Sequence, residues 1–276
     1  MTILSFLLIA FSLSIVAGTV GSLLGLGGGI IVVPTLTLLL GVDIRLAIGA
    51  SIVAVIATSS GAAATYLRDE VSNLRLGMFL ETSTATGALL GAILGGLIDP
   101  AWLYLAFAIV LVGGALAMWR HTDHRDSVAR PDDLADRYAL HGTLRERDGT
   151  LLRYAVYRTR LGLAVSGAAG AISGLLGVGG GIIKVPLMHL AMGVPMRAAT
   201  ATSNLMIGVT AAASAAVFVM RGQVDPVIVA PVMLGVVIGA RIGARLLPHA
   251  RGSHLRVAFT VVLLVVAVQM IQRGLA

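Results

Sequence analysis

Two runs of three glycines, Gly27–Gly29 and Gly179–Gly181, interrupt long apolar stretches of the 276-residue chain. Successive glycines weaken a helix by about 1 kcal/mol each relative to alanine. Pro34 and Pro186 stand five residues beyond each run and have no amide hydrogen to donate. Each segment is therefore predicted to be a broken helix. Helix from Ile30 to Leu40 would extend about 16 Å, roughly half the hydrocarbon core of a bilayer. Backbone freed inside a membrane must be buried in protein or line a cavity. A restarting half-helix presents N–H groups and partial positive charge, which suits an anion. The alternative is that glycine only lets helices pack closely. A doubled motif, each copy followed by proline, favours the anion site. A dinucleotide fingerprint is excluded, because GLGGGI lies within apolar sequence and not after a strand.

Lys184 is the one lysine of the chain and lies in the second broken segment. A lysine deep in a membrane costs about 2.5–3.5 kcal/mol on insertion scales. Facing a cavity, it would supply positive charge to an anionic substrate; otherwise it would snorkel to the interface. Ser203 and Asn204 follow in ATATSN, and Ser51 is the first-half counterpart of Ser203. Their hydroxyl and amide groups suit either oxyanion oxygens or helix contacts. Glu81 suggests either an ion pair with Arg241 or a proton-coupling carboxylate. His189 is either a proton-handling or a packing histidine. His121 and His124 lie close together in HTDHR, but a solvated basic loop is the better reading than a metal site, and no metal or cofactor is expected.

These residues need a membrane body to position them. Apolar residues make up 57% of the chain and charged ones 12%, with a mean hydropathy of +0.95. That excludes a soluble or a disordered protein. The absence of cysteine excludes disulfides, thiolate metal sites and thiol catalysis. Residues 120–160 hold 16 of the 33 charges and read as a cytoplasmic loop, in which Pro131, Asp132 and Asp133 suit a helix start. Helix-length apolar runs are predicted at 3–24, 46–67, 77–98, 101–119, 161–176, 198–220, 227–247 and 255–272, with the broken segments at 25–41 and 177–193. The first run lacks a basic flank and reads as an uncleaved span.

The chain repeats itself. SLLGLGGGIIVVP at 22–34 matches GLLGVGGGIIKVP at 174–186, and the register continues through Gly41/Gly193, Arg45/Arg197 and Ser51/Ser203. Gly87, Gly91 and Gly95 match Gly235, Gly239 and Gly243, ladders that suit helix contact. The predicted fold is therefore all-α and integral to the membrane: a first repeat over 1–119, the charged loop over 120–160 and a second repeat over 161–276. Positive charge orients the halves. With ten spans and inverted halves, loops 68–75, 120–160, 193–197 and 245–256 put 15 basic residues inside, leaving Arg45, Arg221 and Arg273 outside. With re-entrant glycine segments and parallel halves, the balance falls to 13 against 5. The count favours inversion.

GxGGGxxxVP early in each half, followed by a helix start such as ATATSN, resembles the sulfite exporter TauE/SafE family of multispan permeases. The resemblance covers both membrane repeats and implies transport, usually outward, of a small sulfur-containing anion: sulfite, sulfoacetate or another organosulfonate. It places the two motifs at Gly25, Gly27–Gly29 and Pro34, and at Gly177, Gly179–Gly181 and Pro186. Lys184 is not part of that motif. The expected mechanism is alternating access around Gly27–Gly29, Gly179–Gly181, Lys184, Ser51, Ser203 and Asn204. The expected partners are a small anion and membrane lipid, not nucleic acid, and monomer and homodimer stay open. A negative cytoplasm favours anion exit by about 2.3 kcal/mol per charge per 100 mV. No P-loop, HExxH, GxSxG or embedded aspartate pair is present, so an enzyme is not expected. An anion channel, an importer and a non-transporting assembly subunit are the alternatives.

Overall fold

The computed structural model describes residues 3–68, 71–120, 132–145, 150–247 and 252–275. His121, His124 and Pro131 lie outside the described residues. Helix α1 (Ile3–Leu24) leads into a glycine turn and then a short helix α2 (Gly29–Pro34), which runs on as a π-helical turn over Thr35–Leu39. Helices α3 (Ile44–Arg68), α4 (Leu74–Gly95) and α5 (Pro100–Arg120) complete the first half. The second half repeats this order: α7 (Thr159–Leu176), a glycine turn, α8 (Gly181–Pro186) with a π-helical turn over Leu187–Ala191, α9 (Met196–Met220), α10 (Pro226–Leu246) and α11 (Gly252–Leu275). Between the halves stand the short helix α6 (Asp133–Arg137) and an antiparallel hairpin, β1 (Gly142–Arg145) and β2 (Leu151–Tyr154). Among the described residues, six helices are long and apolar enough to cross a membrane: α1, α4, α7, α9, α10 and the Ile44–Ala62 part of α3. Large apolar side chains such as Ile3, Leu90, Leu234 and Val265 stand exposed around them, a surface suited to lipid rather than water.

The glycine ladders do what their spacing predicts. Gly87 and Gly91 of α4 lie against Gly167 and Ala171 of α7, while Gly235, Gly239 and Gly243 of α10 lie against Phe11, Ile15 and Thr19 of α1. In both pairs residue numbers rise together, so the helices run parallel. A Cβ at Gly91 or Gly239 would overlap a carbonyl oxygen of the facing helix, so only glycine allows this approach. Helices α3 and α9 cross in the opposite sense. Gly49 meets Gln223, whereas Ser59 meets Leu205 and Gly208.

The segment between the halves docks on the membrane body through a few polar groups. Asp132 Oδ1 caps α6, accepting from the amides of Leu134 and Ala135 at 3.2 Å. The same carboxylate takes the Thr159 hydroxyl at 2.7 Å and, through Oδ2, the Thr159 amide at 2.8 Å, so it also holds the start of α7. Asn73, at the start of α4, donates from its side chain to the Leu140 carbonyl at 2.8 Å, and its backbone amide donates to Thr202 Oγ1 at 2.9 Å. Burial opposes ionisation of Asp132, but the Thr159 hydroxyl and amide and the two capping amides outweigh it and hold the carboxyl below its ordinary range. A carboxylate shifted in this direction stabilises the docked segment above its unfolded pKa and loses that contribution as pH falls through the folded one. We expect Asp132→Asn to weaken docking by about 1–2 kcal/mol at neutral pH. Hydrogen exchange of amides 133–158 should be faster in the variant at neutral pH and converge with wild type in acid.

Candidate functional site

Both predicted breaks are present. Gly25, Gly27 and Gly28 take φ of 76°, 77° and 71°, and Gly177, Gly179 and Gly180 take 70°, 75° and 74°. This left-handed backbone is open to glycine and strained for other residues. It stops α1 and α7 and restarts the chain as α2 and α8. The prolines then end regular i→i+4 bonding, and the wider π-helical turns follow directly.

The two glycine turns touch each other, and each half holds the other's turn. Ser51 Oγ of α3 donates to the carbonyl of Gly177 at 2.6 Å, and Ser203 Oγ of α9 donates to the carbonyl of Gly25 at 2.8 Å. Asn204 Nδ2 adds a bond to the Ser22 carbonyl at 2.5 Å. A Cβ on Gly29 would meet Ser51 Oγ and the Gly177 carbonyl, and one on Gly181 would overlap the Gly25 carbonyl. Val55 and Ile207 close over Gly27 and Gly179. The predicted residues Gly27–Gly29, Gly179–Gly181, Ser51, Ser203 and Asn204 thus assemble in one place, with both serine hydroxyl protons committed to backbone. Each serine bond contributes about 1 kcal/mol. We expect Ser51→Ala and Ser203→Ala each to lower thermal stability in detergent. Because the two bonds brace the same contact, the double variant should depart from the sum of the singles.

Lys184 is fully buried on α8. It does not snorkel. Its Nζ donates to Thr210 Oγ1 of α9 at 2.6 Å and lies 3.3 Å from Glu81 Oε2 of α4. Thr210 Oγ1 in turn stands 2.5 Å from Glu81 Oε1 and 3.1 Å from the Met206 carbonyl, either of which its single proton can reach. The partner of Glu81 is therefore Lys184 and not Arg241, whose side chain is exposed on α10. Thr210 was not foreseen. Its signal was available, since at an offset of 152 it is the counterpart of Thr58. His189 stands apart from this cluster, half-buried in the second π-helical turn, with Nδ1 3.0 Å from the Val194 carbonyl. Among the described residues no group of three His, Asp or Glu side chains could hold a metal ion.

An apolar helical body with two mid-segment breaks and a buried cation beside them has the build of a membrane transporter. A family model described as Sulfite exporter TauE/SafE matches residues 10–270, and the chain belongs to that family. It is 27% identical over 270 residues to a probable membrane transporter protein, YunE, of Bacillus subtilis (strain 168), covering 95% of this chain and 96% of that protein. A second Bacillus subtilis protein, the probable membrane transporter protein YdhB, is 27% identical over 241 residues, covering 87% of this chain and 88% of its own length. A probable membrane transporter protein of Xylella fastidiosa (strain 9a5c) is 28% identical over 265 residues, 94% of each chain. No solved structure matches. The family and these relatives are those of membrane transporters, not enzymes.

Proposed function

We propose that the chain is a secondary transporter of the prokaryotic cell membrane that exports a small sulfur-containing anion by alternating access. The observation that carries this reading is Lys184, the single buried cation among the described residues, on a broken segment at the junction of the two halves. A buried ammonium selects for negative charge, and the family model, described as a sulfite exporter, supports a sulfur oxyanion. We count ten crossings, with the two broken segments, α5 and α11 added to the six long helices, and read the halves as inverted. Support for inversion comes from α3 and α9, which hold equivalent places in the two halves yet run antiparallel, and from the excess of basic residues in alternate loops. The halves rock about the contact between the two glycine turns. As they part, the amides of Gly27–Gly29 and Gly179–Gly181 and the side chains of Ser51, Ser203 and Asn204 become free to join Lys184 around the oxyanion.

The test is efflux from proteoliposomes loaded with sulfite or sulfoacetate. Wild-type vesicles should empty faster than protein-free ones. Lys184→Ala, and separately a Gly28→Ala/Gly180→Ala double variant, should slow efflux about tenfold or more, the loss of one charge-assisted contact. Variants as fast as wild type would refute the assignment of the site.

A further inference from the structure

The two halves differ in the chemistry they place at one equivalent position. At the offset of 152, Lys184 corresponds to Val32, Thr210 to Thr58 and Ser166 to Ser14; at 148, Glu81 corresponds to Val229. In the first half, Val32 and Ser14 line a narrow crevice between α1 and α2, and Thr58 Oγ1 donates to its own helix at the Ala54 carbonyl, 2.7 Å away. That equivalent site, which Val229 of α10 would complete, manages without charge. A buried ion pair adds little stability over apolar side chains of similar volume. The site around α8 therefore carries Lys184 of the second half and Glu81 of the first for a purpose other than folding. They are the only buried ionisable side chains among the described residues. Among the described residues, the helices packed on α4 and α8 bring no other buried charge: Arg75 and Arg160 are exposed, while Arg197, Tyr104 and His189 are only half-buried.

A second observation points to a ligand here. Ser166 of α7 is wholly buried, and its hydroxyl has no hydrogen-bond partner. It lies on the helix stripe between Gly162, which meets Leu80, and Gly170, which meets Thr84, and so sits at the level of Glu81. Ala169 and Ser173, three and seven residues on along α7, stand with Lys184 Cε around Gly180, and the matching Ser14 lines one crevice with Val32. A buried hydroxyl without a partner is uncommon and forgoes the hydrogen bond it would make in water.

We propose that Lys184, Glu81, Thr210 and Ser166 form an electroneutral anion–proton site, in which a small monoanion replaces the Glu81 carboxylate as the partner of Lys184. This rests on the reading of the chain as an anion carrier. The empty site holds one ammonium and one carboxylate, with no net charge. When the anion binds, Glu81 takes one proton from solution and becomes a neutral acid, so the sum stays zero. A carboxylate left charged and unpaired at this depth would be strongly unfavourable, which makes the proton obligatory. Thr210 accommodates the change. Its proton turns to the Met206 carbonyl while the neutral acid donates to Thr210 Oγ1. The free Ser166 hydroxyl donates to an oxygen of the anion. Anion and proton then move together, membrane potential no longer acts on the loaded carrier, and direction follows the anion and proton gradients.

The experiment adds methanesulfonate, which has no titratable proton near neutral pH, to the purified protein in weakly buffered detergent and measures binding and proton uptake together. Wild type should take up one proton for each anion bound, while Glu81→Gln should bind without uptake. A Lys184→Val/Glu81→Val variant, which copies the valines at the equivalent positions, should fold and fail to bind. Binding without proton uptake in wild type, or equal uptake in Glu81→Gln, overturns the site and leaves the carrier reading standing. If neither methanesulfonate nor any other small anion binds, the carrier reading falls and the site with it. Should Glu81→Gln not fold, affinity across pH decides. Wild type should weaken about tenfold per pH unit above neutral, and a flat profile refutes the proposal.

Discussion

Lys184→Met is expected to destabilise the folded protein by about 3–5 kcal/mol, because it leaves the buried Glu81 carboxylate without a cation. The side chain itself is a good volume match, so cavity formation is a small part of the loss. Only Thr210 then remains to bond Glu81, and one hydroxyl does not replace an ammonium. Lys184→Val/Glu81→Val should recover most of this stability, since the protein already buries Val32 of α2 and Val229 of α10 at the equivalent positions. Melting in detergent checks both variants. A double variant no more stable than Lys184→Met would mean that the ion pair is a structural requirement.

Gly181→Ala should be at least as damaging, for a steric reason. The added Cβ would overlap the Gly25 carbonyl of the opposite glycine turn, and that backbone is already bonded to Ser203. Neither turn can yield without breaking the contact between the halves, so a loss of about 3 kcal/mol or more is expected, with transport abolished. Gly41→Ala provides the scale. Gly41 also has a positive φ, 66°, but nothing lies within 4 Å of its Cβ position. It should cost only about 1 kcal/mol of backbone strain and leave transport intact. Expression, melting temperature and efflux of the two variants, compared side by side, separate closeness of packing from glycine's conformational freedom.

Much of this architecture was legible in the residues. Three glycines followed by proline have a local meaning, and both breaks stand where that pattern puts them. The 152-residue register tied Ser51 to Ser203 before any contact was known, and they make equivalent bonds across the two halves. The α4 and α10 ladders announce helix contacts because the spacing of small residues along one helix encodes that by itself. What the sequence hid was pairing at a distance. Glu81 and Lys184 are 103 residues apart and meet only because α4 packs on α7 and α9. Arg241 was an equally good partner on charge alone. The hairpin between the halves was hidden for a different reason. Its four-residue strands lie in a polar stretch with no sustained alternation, and they are held by docking through Asn73 and Asp132.

Counterflow separates a carrier with one alternating anion site from a pore. Proteoliposomes are loaded with unlabelled sulfite, diluted into a trace of labelled sulfite, and sampled over time. A carrier that alternates around one anion site must exchange the two, so label should rise inside well above its outside concentration and then decay. Entry that climbs only to equality with the outside would mean an open pore, and no entry beyond protein-free vesicles would mean that this chain does not move the anion at all.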